Sequence, residues 1–173
     1  YIPKWNCPDF FKLTDNKFTA THEFDNLKWL YESIQGYKHM FNGHELDIYK
    51  YFNTGFVVFN KTHRHVFETF KEVYTNQVDE FYDIQCTLRR GTDQTPVNYV
   101  MDMNKIEIKF LPLPYRVSHL PRKDLLSHNW QLKEDTTPFF IKYGYIWGFS
   151  GFDKTQRNKL MSQTWELIKD KYE

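Results

Sequence analysis

A short polar triplet, Asn53-Thr54-Gly55, precedes a run of apolar residues and could present hydrogen-bonding groups to a ligand. The amide of Asn53 carries both a donor and an acceptor, which suits a ligand with hydroxyl groups. Gly55 has no side chain, so another group could approach the backbone closely there. The alternative is that Asn53 only stabilises a turn, because Asn and Gly are both common in turns.

A second pair, Asp93-Gln94, stands at the predicted start of a helix, where an acid and an amide could face a cleft. The alternative for Asp93 is an ordinary N-cap. Asp at that position commonly accepts hydrogen bonds from the first backbone N–H groups of a helix.

A third feature, Gly151 with Lys154, could serve a phosphate group. Gly151 would let a loop fold closely against an anionic group, and the ammonium of Lys154 would neutralise its charge. The alternative is a glycine-containing helix end followed by a solvated lysine.

Side chains that commonly bind metals are present, but their spacing does not indicate a metal site. His63 and His65 lie two residues apart on a predicted helix and therefore point to different faces. The other candidates also lack a ligand pattern: His119, His128, Cys7 and Cys86. We therefore predict no metal ligands in this chain.

The composition limits the classes of protein to which the chain can belong. With 40% hydrophobic residues and a formal net charge of +1, 173 residues can form one domain and do not suit a dedicated nucleic-acid binder. Two cysteines and no recognisable signal peptide predict a cytoplasmic setting. No apolar run approaches the ~20 residues of a membrane span, so a soluble protein is expected.

The elements that would position these residues alternate between helix and strand, which predicts a layered α/β domain over residues 1–173. Apolar periodicity and turn residues give their boundaries. In chain order we expect a helix over 22–37, a buried strand over 51–60, a helix capped by Thr62, a short helix from about 93, a strand over 106–110, a strand near 139–149, and an amphipathic helix over 154–172 with Met161, Trp165, Ile168 and Tyr172 on its apolar stripe.

Three patterns, in this order along the chain, resemble the C-terminal half of sugar-nucleotide glycosyltransferases with the GT-A fold. The nearest resemblance is to family 8, the glycogenin and lipopolysaccharide galactosyltransferase group. Residues 51–60 resemble its Phe-Asn-(Ser/Thr)-Gly-apolar strand, and residues 91–98 resemble its Asp-Gln-x-x-x-Asn helix start. Residues 148–154 resemble its His-x-x-Gly-x-x-Lys loop, although Gly148 replaces the His.

The resemblance implies a mixed sheet flanked by helices and a hexosyltransferase activity. A nucleotide-diphosphate sugar would be the donor, and a carbohydrate or another hydroxyl compound would be the acceptor. It also implies three groups of site residues: Asp93 and Gln94 as catalytic, Asn53, Thr54 and Gly55 as substrate-binding, and Gly151 and Lys154 as diphosphate-binding.

Family members hold Mn²⁺ or Mg²⁺ with an Asp-x-Asp pair, which this chain lacks. Residues 1–11 look like the segment that follows this pair, so we expect the nucleotide-binding N-terminal half to be absent. This chain alone would then bind no metal tightly and show little or no activity. An exposed sheet would also favour self-association.

A hypothesis from another class remains open. The chain could be a non-catalytic carbohydrate-binding or assembly module on a degenerate transferase fold, since the Asp-x-Asp pair is missing and Gly148 cannot bind metal through a side chain.

Overall fold

The structure, a computed structural model, describes residues 1–24, 26–88, 93–117, 137–149 and 152–172. The chain divides into two compact units, which we call the terminal unit (Tyr1–Asp9 with Pro112–Glu173) and the central unit (Phe10–Leu111). Both units combine helices and strands, so the predicted α/β class is confirmed. That residues 1–173 form one domain, and that the fold is GT-A, stay predictions.

The described elements have the following order. They are β1 (Ile2–Pro3), β2 (Phe18–His22), α1 (Leu27–Tyr37), β3 (Phe52–Val58), α2 (Arg64–Asn76), α3 (Val78–Leu88), α4 (Gln94–Met103), β4 (Ile108–Leu111), α5 (Phe139–Tyr143), β5 (Ile146–Trp147) and α6 (Lys154–Ile168). None of the helices in these parts of the chain is long and apolar enough to cross a membrane.

The sheet of the central unit has the strand order β3-β2-β4. Strand β2 runs parallel to β4 and antiparallel to β3. The carboxyl ends of β2 and β4 therefore lie at one edge of the sheet, and β3 begins at the same edge because His22 pairs with Phe52. Ligands of α/β sheets commonly bind beyond the carboxyl ends of parallel strands.

The ladder between β2 and β3 is irregular where β3 carries the polar triplet. Ala20 pairs with Val57 and His22 pairs with Phe52, so Thr21 alone stands opposite residues 53–56. Such bulges bend the strand and turn side chains and N–H groups toward other partners. The polar triplet Asn53-Thr54-Gly55 thus lies in the irregular part of the pairing between β2 and β3.

Each unit has its own hydrophobic core. In the central unit α1, β3 and α4 each contribute a fully buried ring: Tyr37, Phe52 and Tyr99. The core of the terminal unit is smaller and consists of Val117, Phe140, Ile141, Trp147, Phe149 and Ile168. In that unit β1 pairs with β5.

Several predicted elements differ from the observed ones. The first helix begins at Leu27 rather than at residue 22, because residue 22 is the last residue of β2. Asn26 caps this helix. Helix α3 was not predicted, and residues 139–143 form a helix where a strand was expected. Strand β3 is an outer strand of the sheet, beside β2, and it is only half-buried. On α6, Ile168 is buried but Met161 and Trp165 are exposed, so the predicted apolar stripe does not face the core.

Helix α2 is preceded by a 3-10 turn with a capping box, in which Asn60 rather than Thr62 is the cap. The backbone N–H of Asn60 donates to Nδ1 of His63 at 3.3 Å, so this nitrogen must be unprotonated. Burial lowers the pKa of His63, and the charge of protonated His65 lowers it further.

The stability of the chain is therefore expected to fall on acidification. Because the pKa of His63 is lower in the folded state, its contribution is complete above the unfolded value near 6.5 and is lost as pH falls through the folded value. A Gln at position 63 can accept the same bond but does not titrate. His63→Gln should reduce the loss of thermal stability between pH 8 and pH 5, and an unchanged loss would contradict this role.

Candidate functional site

Three segments of the central unit meet at the carboxyl edge of its sheet. They are the residue after β2 (Glu23), the bulged part of β3 (Asn53 and Thr54) and the start of α4 (Asp93 and Gln94). Two of the sequence motifs, 40 residues apart, are thus joined by direct hydrogen bonds. We call these five residues the edge cluster.

Asp93 does not act as an ordinary helix cap. It occupies the N-cap position of α4, but its side chain makes no capping hydrogen bond to the helix. Instead Oδ2 accepts a hydrogen bond from the Thr54 hydroxyl at 3.1 Å. The carboxylate therefore faces β3, and Asp93 remains exposed to solvent on that side.

Gln94 and Asn98, one turn apart on α4, hold the first residues of β3. The Gln94 side chain accepts from the Thr54 N–H at 3.3 Å. The Asn98 amide accepts from the Phe52 N–H at 2.9 Å and donates to the Phe52 carbonyl at 3.0 Å. It also donates to the Gln94 carbonyl at 2.8 Å. The side chains of α4 thereby hold the backbone of Phe52 and Thr54, and Asn98 is only 2% exposed.

Asn53 has both a structural and a site-forming role. Its Oδ1 accepts from the Gly55 N–H at 2.7 Å, which is the local turn-type bond expected of Asn. Its Nδ2 donates to the Glu23 carboxylate. Asn53 therefore stabilises a local turn, as the alternative predicted, and also bonds to another residue of the edge cluster.

Glu23 belongs to the edge cluster and was not predicted as a site residue. It falls within the helix predicted over 22–37, whereas it lies just beyond the end of β2. It is 8% exposed, and a carboxylate so deeply buried needs partners such as the Asn53 amide. An acidic residue directly after a short segment with two β-favouring threonines was the signal that could have identified it.

Two buried phenols lie within electrostatic reach of the edge cluster. Burial raises the pKa of Tyr51, despite hydrogen bonds to Thr95 and Gln94, and the charges of Glu23 and Asp93 raise it further. Burial and the Asp93 charge raise the pKa of Tyr37 to about 12. Both hydroxyls therefore stay neutral near pH 7, and the carboxylates give this edge its negative character.

The predicted diphosphate-binding residues lie in the other part of the chain. Lys154 belongs to the terminal unit, where it is exposed and is the first residue of α6, after the cap Asp153. Gly151 lies outside the described residues. Gly148 packs against Tyr1, so that a Cβ there would lie 2.6 Å from Cε1 of the ring. The family's His at this position would require Tyr1 to move.

The metal that the resemblance implies has no ligand set in the described ranges. In those ranges no three His, Cys, Asp or Glu side chains are grouped so that they could hold a metal ion. The residues present therefore do not fit Mn²⁺ or Mg²⁺, and any such metal would need other ligands.

A pocket of about 410 Å³ lies elsewhere in the central unit, between the loop before β3, α4 and β4. Asp102 is its central charge, because it contacts His44 at 2.8 Å and Lys50 at 3.7 Å. None of the five edge-cluster residues lines this pocket. Asn98, which supports the edge cluster, does line the pocket, so the pocket is a neighbouring place where a ligand could bind, and experiments on the edge cluster need to distinguish the two.

Comparison of the chain with protein-family models, with curated proteins and with solved structures finds no match.

Proposed function

We propose that this chain is the acceptor-side part of a glycosyltransferase that moves a hexose from a nucleotide-diphosphate sugar to a hydroxyl acceptor. The observation that carries the proposal is the bond between the two motifs, in which Asp93 and Gln94 both accept hydrogen bonds from Thr54. A sequence resemblance alone does not require residues 54 and 93 to be neighbours. Their contact is what a shared reaction centre needs.

The chemistry of the edge cluster suits glycosyl transfer. Positive charge develops on the sugar ring in the transition state, and the Glu23 and Asp93 carboxylates would stabilise it. Asp93 is exposed and could accept the proton of an acceptor hydroxyl. The amides of Asn53 and Gln94 would orient the sugar hydroxyls.

The residues also hold one another in place. Asp93 is fixed by the Thr54 hydroxyl, and Thr54 is in turn fixed through its N–H by Gln94. Asn98 supports both, since it bonds to Phe52 and to the Gln94 carbonyl. Catalytic groups gain from such preorganisation, because less reordering is needed when the substrate binds.

The proposal is tested by a transfer assay on the longer protein that the proposal implies. The protein is incubated with a panel of sugar nucleotides, Mn²⁺ or Mg²⁺ and a panel of glycan acceptors, and products are identified by mass spectrometry. We expect one donor to give a glycosylated acceptor, whereas the 173 residues alone should give little. Binding of glycans without turnover of any donor would instead support the non-catalytic module.

A further inference from the structure

Three near-parallel aromatic rings form a row that ends at the carboxyl edge of the central sheet. His22 stacks on Phe110 with ring centroids 3.6 Å apart and an interplanar angle of 5°. It also stacks on Phe24, at 5.0 Å and 16°. Because His22 contacts both other rings, the order of the row is Phe110, His22, Phe24, and Phe24 lies just beyond the end of β2.

Phe24 is the outermost ring of this row, and its support is rigid. Phe110 packs against the hydrophobic core, and His22 lies in β2, where it pairs with Phe52. Phe24 itself is 42% exposed, so part of its ring remains open to solvent. A flat apolar surface is thereby held at the edge where the polar triplet of β3 begins.

The charges beside Phe24 indicate the class of ligand. The residue before it, Glu23, carries a carboxylate and is part of the edge cluster. A carboxylate there disfavours a phosphate or a nucleic acid by like-charge repulsion. A pyranose avoids this repulsion because it carries no charge. Its C–H face can stack on the ring while its hydroxyls bond to carboxylates and amides.

We propose that Phe24 is the stacking platform for a pyranose ring of the acceptor, which makes a glycan the acceptor class. This assignment rests on the proposed function, since it takes the edge cluster as the reaction centre. The exposed side chains of Leu27 and Tyr31, on the same face of α1, offer further apolar surface along the helix that follows.

The test is ligand-observed saturation-transfer NMR on the full chain. The probes are methyl α-glucopyranoside, methyl β-galactopyranoside, maltose and lactose. We expect at least one to bind, and Phe24→Ala to weaken it tenfold or more, while Phe24→Trp retains the affinity. Phe11→Ala is the matched control, because Phe11 is 77% exposed and lies in the same unit. Unchanged unfolding midpoints would show that the variants fold.

Three outcomes overturn the platform. The first is an affinity in Phe24→Ala equal to that of the wild type, and the second is no binding of any probe. The third is competition between the bound probe and UDP-glucose, with Phe24→Ala weakening both equally, because the ring would then bind the donor sugar. Failure of the proposed function is distinguished by the transfer assay: if transfer occurs while Phe24→Ala leaves the acceptor KM unchanged, only the platform is wrong.

Discussion

Replacing Asn98 with Ala is expected to lower the free energy of unfolding by about 3 kcal/mol, as read from urea denaturation. The side chain is 2% exposed and bonds to both backbone groups of Phe52, which is itself fully buried. Removing the amide leaves a buried N–H and a buried carbonyl without these bonds. Such groups each cost about 1–3 kcal/mol when they lose their partner.

Asn104 provides the matched control, because it lies at the exposed end of the same helix. It donates one local bond, to the Val100 carbonyl at 2.7 Å. Asn104→Ala should cost less than about 1 kcal/mol. Equal costs for the two variants would mean that Asn98 does not hold β3 on α4, and the support of the edge cluster would need another explanation.

Replacing Asp93 with Asn is expected to lower kcat/KM for sugar transfer by about 10²–10⁴ in the whole protein. The Asn side chain has nearly the same shape, and its oxygen can still accept from Thr54. The fold should therefore be unchanged, while the negative charge and the proton acceptor are lost. Unfolding midpoints check the fold, and initial rates at saturating donor check the chemistry.

Asp83→Asn is the control for this substitution, because Asp83 is an exposed aspartate on α3 and lies outside the edge cluster. It should retain the wild-type rate. A transfer rate in Asp93→Asn within about twofold of the wild type would remove Asp93 from the catalytic groups. The contact with Thr54 would then be only structural.

The parts of the fold that local pattern encodes could be predicted. Apolar β-favouring residues after Asn53-Thr54-Gly55 predicted β3, and a helix from about Asp93 is confirmed by α4, with Pro96 in its first turn. The predicted strand near β4 is confirmed with a shift of two residues at its start. Boundaries of this kind depend on neighbours within the same few residues.

What could not be predicted depends on distant partners. At the bulge opposite Thr21, the Thr54 N–H bonds to Gln94 on α4, and no local pattern shows so distant a partner. For the same reason an Asp at a helix start was open to two interpretations until its Thr54 contact was known. Glu23 was missed because residues 22–26 were assigned to a helix, which hid its position after a strand.

Binding at the edge cluster can be located directly by ¹⁵N–¹H NMR of the full chain during titration with sugar nucleotides and methyl hexopyranosides. The account predicts that the backbone amides of Thr54 and Gly55 shift together with the side-chain amides of Asn53 and Gln94. These shifts should follow one dissociation constant. Saturable shifts confined to Lys50 and Lys105, which line the neighbouring pocket, or no shift with any compound, would contradict it.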